Sequence, residues 1–546
     1  MSEALAQDLL TRLEKMEGAL GVWRAHWQEC ADYVKPRKND IVTRYTTGGE
    51  KKHRKVFDGT PENALDILAA GIHSGMTNPD MVWFDLMFPI PDINELLPAR
   101  AWLEACGVVL HDMLTMSNFD QAIHEFYLDL GLFGTAILWV DDPVTGPPVF
   151  TCLPIAECAI AEDQYGRVDT LFRRYKKTVR QLYERYGEDA GEHVLKLRED
   201  NELDREVECV QAVYPRQDRD PGKQDKEHKP WANVLLVVEG KHVLEVGGFD
   251  RPPFMVCRWA KSGDELWGRG PTMKALADVK MLYTMAKDNV IAGNQRVNPI
   301  ISAPDNGYLE DIRMVPGNVI RYRAGTQDRV EPLALGDPAF GVDMQERTEN
   351  KVRAAYLVDV FMQFDEHHPS MTATEVLERR QQKLMVLGPV LGRMRSELLD
   401  PLLDILFDMA AKGGELPPPP EDLMREFGGA DIKPVYRGPL SLAMRGEEVQ
   451  NLNRWLGLAG QMAQLTQDPS VLDNVDTDEA LRFSHERMGA PAVALRDMKV
   501  VMEMRKQRAE AQKAQAEMMQ VGQMAEAAGK AAPALAQLAP EAPLEQ

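Results

Sequence analysis

The chain has 546 residues and a mass of 61.3 kDa, enough for two to four subdomains, and its 44% apolar and 27% charged content is that of an ordinary soluble protein. With 85 acidic against 63 basic residues the formal net charge is −22, which argues against a protein that wraps nucleic acid by neutralising phosphates. No apolar run approaches the roughly 18 residues of a membrane span, the start MSEALAQDLL lacks a signal peptide's basic flank, and six scattered cysteines without a C-x-x-C pair exclude a zinc ribbon and point to free thiols in a reducing compartment.

In chain order, Leu9, Leu10, Leu13, Met16, Leu20, Trp23 and Trp27 form one helical stripe across 3–33, closed by Pro36. A Gly-rich basic loop follows. Thr60 then stands as the N-cap of a second helix with Pro61 at its first position. A third helix is expected over 98–116. Short β-rich runs at 134–140, 149–160, 168–175, 206–214, 233–238, 242–246 and 254–259 predict an α/β lobe on a mostly antiparallel sheet. Glu239-Gly240-Lys241 supplies a hairpin turn, and a helix over 179–186 interrupts the strands.

From Gly270 the pattern is helical again. Apolar residues every three or four positions run from Leu276 to Val297, and Asn298-Pro299 stops them. A compact β patch follows at 299–303, 319–323 and 330–335, then a helical stretch from Asp337-Pro338 to about Phe361. The polar loop that comes next leads into a long helix over 372–412, which Gly388-Pro389 and Pro401 should bend. Thr372-Ala373-Thr374-Glu375 is a capping box at its start. Gly413 to Pro420 reads as a linker, helices resume near Leu442, and the last fifteen or so residues, with Pro533, Pro540 and Pro543, read as frayed.

Signatures of chemistry are missing. No G-x-x-x-x-G-K-[ST] exists, and Gly268-Arg269-Gly270-Pro271 lacks the third glycine of a dinucleotide fingerprint. His124-Glu125 has Leu128 where a zincin needs its second histidine. Gly71-Ile72-His73-Ser74-Gly75 puts serine one place too late for a nucleophile elbow, so its glycines are assigned to close helix packing. Asp365-Glu366-His367-His368 is the one dense polar cluster. Successive side chains diverge on any regular backbone, so it reads as an exposed charged loop, neither metal site nor acid–base centre. The basic runs Lys51-Lys52-His53-Arg54-Lys55 and Arg173-Arg174-Tyr175-Lys176-Lys177 read as solvated faces or loop ends.

The order helix, small β insertion, helix, polar loop, long bent helix is similar to the stem, clip, stem, tunnel loop and core helix of phage portal proteins. The stretch MTATEVLERRQQKLMVLGPVLGRMRSELLDPLLDILF, from Met371 to Phe407, resembles that of the head-to-tail connecting proteins of short-tailed, podovirus-type phages. So do WRAHWQECADYVKPRKND (Trp23 to Asp40), FDGTPENALDILAAGIHSGMTNPDMVWFDL (Phe57 to Leu86) and, less distinctively, YRGPLSLAMRGEEVQ (Tyr436 to Gln450). The likeness covers about residues 8 to 500.

The resemblance implies an α+β, mostly helical subunit assembling into a ring. Residues 1–120 would be the helical part of a wing and 121–269 its β-rich α/β part. The first stem helix would occupy 270–298, the clip 299–336 and the second stem helix 337–362. A tunnel loop at 363–371 would precede the core helix at 372–412. A linker (413–441) would return to wing and crown, with a helical crown or barrel at 442–530 and a disordered tail at 531–546. The implied role is a conduit for double-stranded DNA at one capsid vertex, without catalysis, cofactor or metal. Phe364, Asp365, Glu366, His367, His368, Pro369 and Ser370 would face the channel, with Thr372 and Glu375 capping the helix behind them. Asp305, Tyr308, Arg313, Arg321 and Arg323 would lie on the clip, where the packaging motor and later the tail adaptor dock. Expected partners are eleven further copies of the chain, the DNA, the large terminase, the tail adaptor and the major capsid and scaffolding proteins, with no membrane. The expected location is the virion, and the host cytoplasm during assembly. An acidic bore would repel the duplex weakly from all sides and keep it centred. Two rivals stand beside this reading: another ring-forming virion protein, such as an adaptor or scaffold, and an α/β enzyme with an unfamiliar site.

Overall fold

The computed structural model describes residues 2–42, 52, 55–90, 97–143, 146–220, 222–223, 225–297, 301–302, 331–332, 338–362, 387–420, 432–436, 438–466, 469–488, 495–496, 498 and 500–515. The chain divides into two compact units: Met1–Phe84 with Gly107–Leu416 and Tyr436–Met444, and Asp85–Cys106 with Pro417–Val435 and Arg445–Gln546.

In the first unit, the single stripe expected at the start is two helices, α1 (Ser2–Ala19) and α2 (Gly21–Val34). They part at Leu20, whose side chain is buried and whose N–H bonds back three residues to the Glu17 carbonyl. Gly18 and Gly21 flank the break, and glycine weakens a helix interior. Helix α3 (Thr60–Met76) corrects the expected cap: Thr60 is already helical, and its N–H is taken by the Asp58 carboxylate at 2.7 Å. Helix α4 (Leu97–Met116) falls where expected. Helix α5 (Phe119–Phe133) was not anticipated. Phe119, Ala122, Ile123, Phe126, Tyr127 and Leu130 form its buried stripe, with Gln121 and Glu125 exposed on the opposite face.

The β-rich region forms two antiparallel sheets, where one was expected. After a short strand, β1 (Phe84–Met87), β2 (Thr135–Asp141) pairs with β3 (Val149–Leu153) on one side and β9 (Phe254–Arg258) on the other. β4 (Cys158–Glu162), β5 (Val168–Thr178), β6 (Glu206–Pro215), β7 (Trp231–Val237) and β8 (His242–Phe249) follow one another in the second sheet. The expected strand over 149–160 is divided because Pro154 cannot donate to a ladder. A 3-10 turn, Ile155–Glu157, redirects the chain from one sheet to the other. The turn at Glu239-Gly240-Lys241 is where the sequence places it, with positive φ at Gly240 and Lys241. Helix α6 (Val179–Tyr186) starts on a capping box of Thr178 and Gln181. With a second, unanticipated helix, α7 (Glu192–Glu199), it buries Val179, Leu182, Val194 and Leu197 against Val207, Cys209, Leu235 and Val237 of the sheet.

Helix α8 (Pro271–Val297) spans the expected range. Its companion α9 (Pro338–Ala355) stops short of the expected Phe361, because Leu357 takes a left-handed backbone at φ 57°. One further turn, α10 (Val358–Phe361), then sets the Phe361 ring against Gly71. A Cβ at Gly71 would stand 2.3 Å from that ring, so close packing is the reason for this glycine. Ile301–Ser302 (β10) pairs antiparallel with Glu331–Pro332 (β11), in agreement with the first and third strands of the expected β patch. The long helix is described from Leu387. It runs as α11 (Gly388–Met394), a π-helical turn at Arg395–Leu399 and α12 (Asp400–Gly413). The widened turn lies just before Pro401, which has no N–H to give and whose ring crowds the carbonyl one turn back.

In the second unit, the Trp102 indole N–H donates to the Pro417 carbonyl at 2.8 Å and its ring stacks on Phe88 at 6.2 Å. Helix α13 (Pro439–Thr466) starts with proline near the expected place. Helix α14 (Thr477–Met488) is headed by Asp476, whose carboxylate accepts the N–H groups of Asp478 and Glu479. Residues 500–515 are again helical, and Arg505 pairs in both arms with Asp478.

Candidate functional site

The residues singled out from the sequence, Phe364 to Ser370, Thr372, Glu375, Asp305, Tyr308, Arg313, Arg321 and Arg323, all lie outside the described residues. The described residues form the frame from which those segments leave: the α8/α9 pair on one side and α11 with its π turn on the other.

The root of α8 is built on contact between three glycines. Gly134 links α5 to β2 at φ +75°, and a Cβ there would stand 2.3 Å from the Gly270 nitrogen and 2.5 Å from the Gly268 carbonyl oxygen. Only glycine combines that backbone with that approach. The Gly268 N–H donates to Thr135 Oγ1 at 2.8 Å, and the Trp259 N–H to the Gly134 carbonyl at 2.9 Å. At the second residue of α8, the buried Thr272 hydroxyl donates to the Gly131 carbonyl at 2.9 Å and accepts from the Tyr356 hydroxyl at 2.8 Å. The start of α8 and the residue that follows α9 are thereby tied to α5 at the root of the pair.

A second anchor is Arg258, at the end of β9 and only 2% exposed. Its backbone N–H donates to Glu397 Oε2 at 2.9 Å and its Nη2 to Glu397 Oε1 at 2.6 Å, while Nη1 donates to Glu162. Lys261 completes the group, 2.7 Å from Glu162 Oε1. Burial disfavours the guanidinium charge, but the Glu397 and Glu162 carboxylates outweigh it and raise its pKa. Glu397 sits in the π turn, so this cluster ties the long helix to the ends of β4 and β9. Three residues on, Asp400 accepts from the Tyr436 hydroxyl, and the Tyr436 ring is parallel to that of Trp83.

Beyond their root, α8 and α9 run in opposite directions, with Asn289 Nδ2 donating to Gln345 Oε1 at 2.8 Å. Gly341 gives room to Asn289. From Lys287 to Val297 no residue of α8 is buried, and Val290 (64%), Val297 (79%) and, on α9, Val342 (58%) stand exposed.

The remaining polar groups do structural work. Lys38 Nζ is 2.6 Å from the buried Asp129 and 3.1 Å from Glu125, and the Cys152 thiol, raised by burial, faces the other Asp129 oxygen. Among the described residues no three histidine, cysteine or acidic side chains are placed to hold a metal ion, and no helix is long and apolar enough to cross a membrane. The basic run on β5 is not the solvated face expected. Arg173 pairs with Glu157, Arg174 with Glu17, and Lys176 with Glu206, so neighbouring acids meet three of its four cations, while Lys177 lies over the Tyr175 ring. In the other run, Lys52 pairs with Asp40 and Lys55 with Asp32.

Residues 6–495 match the family model of the bacteriophage head to tail connecting protein. The chain belongs to that family. It is 32% identical over 517 residues to a probable portal protein of Bordetella phage BPP-1, covering 92% of this chain and 91% of the relative. It is 30% identical over 522 residues to the portal protein of Salmonella phage epsilon15, covering 93% and 92%. Among solved structures, a chain of the virion of the native gene transfer agent particle aligns over 83% of this chain and 98% of its own, with 10% identity and a TM-score of 0.33. That score carries no argument.

A head-to-tail connecting protein of the portal type is a structural component of the phage virion and not an enzyme. The clusters described above are contacts within one chain that hold its fold. For this connector, the residues that sequence reasoning missed are Gly134, Arg258, Glu162, Glu397, Thr272 and Tyr356. A glycine between a strongly apolar helix and a strand was a usable sign for Gly134. Nothing local marks Arg258, whose two carboxylate partners are 96 and 139 positions away.

Proposed function

We propose that the chain is one subunit of a ring, twelve-membered as the family resemblance implies, that occupies one capsid vertex and conducts double-stranded DNA during packaging and ejection. Residues 270–298 and 337–362 serve as the stem, 299–336 as the clip, 363–371 as the tunnel loop, and 442–530 as the crown. In this reading the clip, with Asp305, Tyr308, Arg313, Arg321 and Arg323, meets the large terminase first and the tail adaptor afterwards. The ring forms in the host cytoplasm together with the major capsid and scaffolding proteins.

The observation that carries this reading is the bare outer half of the α8/α9 pair. Eleven successive residues of α8 without one buried side chain, with valines outward, make a poor surface for a solitary subunit. They suit a helix pair flanked by copies of itself. The net charge of −22 agrees with a bore past which phosphates slide, since a basic lining would hold them by counterion release.

The test is the mass of the assembled protein with end-on imaging. Twelve chains of 61.3 kDa give roughly 740 kDa in a closed ring. A monomer at every concentration overturns the reading. Deleting His367 to Ser370 tests the tunnel loop: rings should form normally while DNA packaging or retention fails. Loss of assembly would refute that division of labour.

A further inference from the structure

Helix α13 presents Trp455, Leu458, Met462 and Leu465 to solvent, at 46%, 52%, 51% and 84% exposure. Their 3-4-3 spacing is that of the a and d positions of a coiled-coil seam, so all four lie on one side of the helix. Residues 455–466, WLGLAGQMAQLT, carry no charge in a chain that is 27% charged. At 100° per residue, Gly457 and Gly460 lie on the roughly opposite side. A Cβ at either would meet nothing within 4 Å. One stretch of helix thus carries four bulky apolar side chains on one flank and an open, shallow flank behind.

We propose that this stretch is a heterologous contact between neighbouring copies of the chain, with Trp455, Leu458, Met462 and Leu465 of one copy seated on the Gly457/Gly460 flank of α13 in the next. The proposal rests on the ring reading above and names the surface that would join the crown. Two observations select a second copy as the occupant. Each copy carries a net charge of −22, so copies approach one another most easily where neither is charged, and 455–466 is such a place. The patch is also on the order of a few hundred Å², well short of the ~1,200 Å² that holds a free-standing pair. It therefore suits a closed ring, where every contact is repeated and each copy uses two different faces.

The native thiols make a clean background, because Cys30, Cys106, Cys158, Cys209 and Cys257 are buried and Cys152 is half-buried. In full-length protein whose ring mass has been verified, the double variant Leu458→Cys/Gly460→Cys should oxidise to a ladder of covalently linked chains. Either single variant alone should stay monomeric on a denaturing gel, since identical positions do not face each other. Independently, the thiol of Leu458→Cys should react with a maleimide at least tenfold more slowly in rings than in dilute unassembled subunits. Rings of the expected mass without a ladder, or with a freely reactive thiol at 458, overturn the contact and leave the ring reading standing. Protection already present in unassembled subunits also overturns it, because the chain itself would then be the cover. Failure of the unaltered chain to assemble at all would strike the ring reading instead, and this contact with it.

Discussion

Gly134 and Gly270 touch through their backbones: a Cβ built on Gly134 would stand 2.3 Å from the Gly270 nitrogen, at a φ of +75° that side chains rarely adopt. Gly134→Ala should therefore destabilise the first unit by about 3 kcal/mol, through left-handed strain added to a clash that only backbone movement relieves. Denaturant unfolding measures it. Gly392→Ala is the control: its Cβ would enter open space within a helix, and about 0.5–1 kcal/mol of added stability is expected.

Arg258 and Glu397 call for a second comparison. Arg258→Met leaves Glu162 with Lys261 but Glu397, among the described residues, with only the longer 3.6 Å ion pair to Arg393, and should cost about 3–5 kcal/mol. Adding Glu397→Gln to that variant should recover part of the loss, because the carboxylate that lost its closest partner is then uncharged. Additive losses in the double-mutant cycle would show that the two residues are not coupled.

The Tyr356–Thr272–Gly131 chain of hydrogen bonds has a built-in order of severity. Tyr356→Phe removes one donor and should cost about 1 kcal/mol. Thr272→Val orphans both the Tyr356 hydroxyl and the Gly131 carbonyl in a buried place, and should cost about 2–3 kcal/mol. The reverse order, read from thermal or denaturant unfolding, would remove this chain as an anchor of α8.

Acid should weaken the fold through two histidines. Burial lowers the pKa of His73, helped by His124 and opposed by Asp120. Burial, with Arg269 beside it, lowers that of His26. The unfolded chain takes up these protons near the ordinary value of 6.5 while the folded chain resists them. Stability is therefore full above pH 6.5 and declines as pH falls through 6.5 towards the lower folded values. His73→Gln should flatten that decline between pH 6.5 and 5, and an unchanged slope would exclude His73 as a contributor.

Much of the fold was legible because its signals are local. The stripe from Leu276 to Val297 marked α8, proline marked its start, and Asn298-Pro299 its stop. The hairpin at Gly240 and the glycine packing at Gly71 were readable for the same reason. What escaped was decided at a distance. The expected strand over 149–160 belongs to two sheets because Pro154 turns the chain.

By itself the sequence determined the family and the place of many helices and strands, together with the acidic balance and the absence of an ATPase loop. These follow from motif wording, composition and periodicity, which need no third dimension. Only the tertiary structure decided which residues anchor the frame. Arg258 finds Glu162 and Glu397, Gly134 meets Gly270, and Thr272 receives Tyr356 from partners 84 to 139 positions away. Burial and charge pairing are properties of that meeting, and no short stretch of chain encodes them on its own.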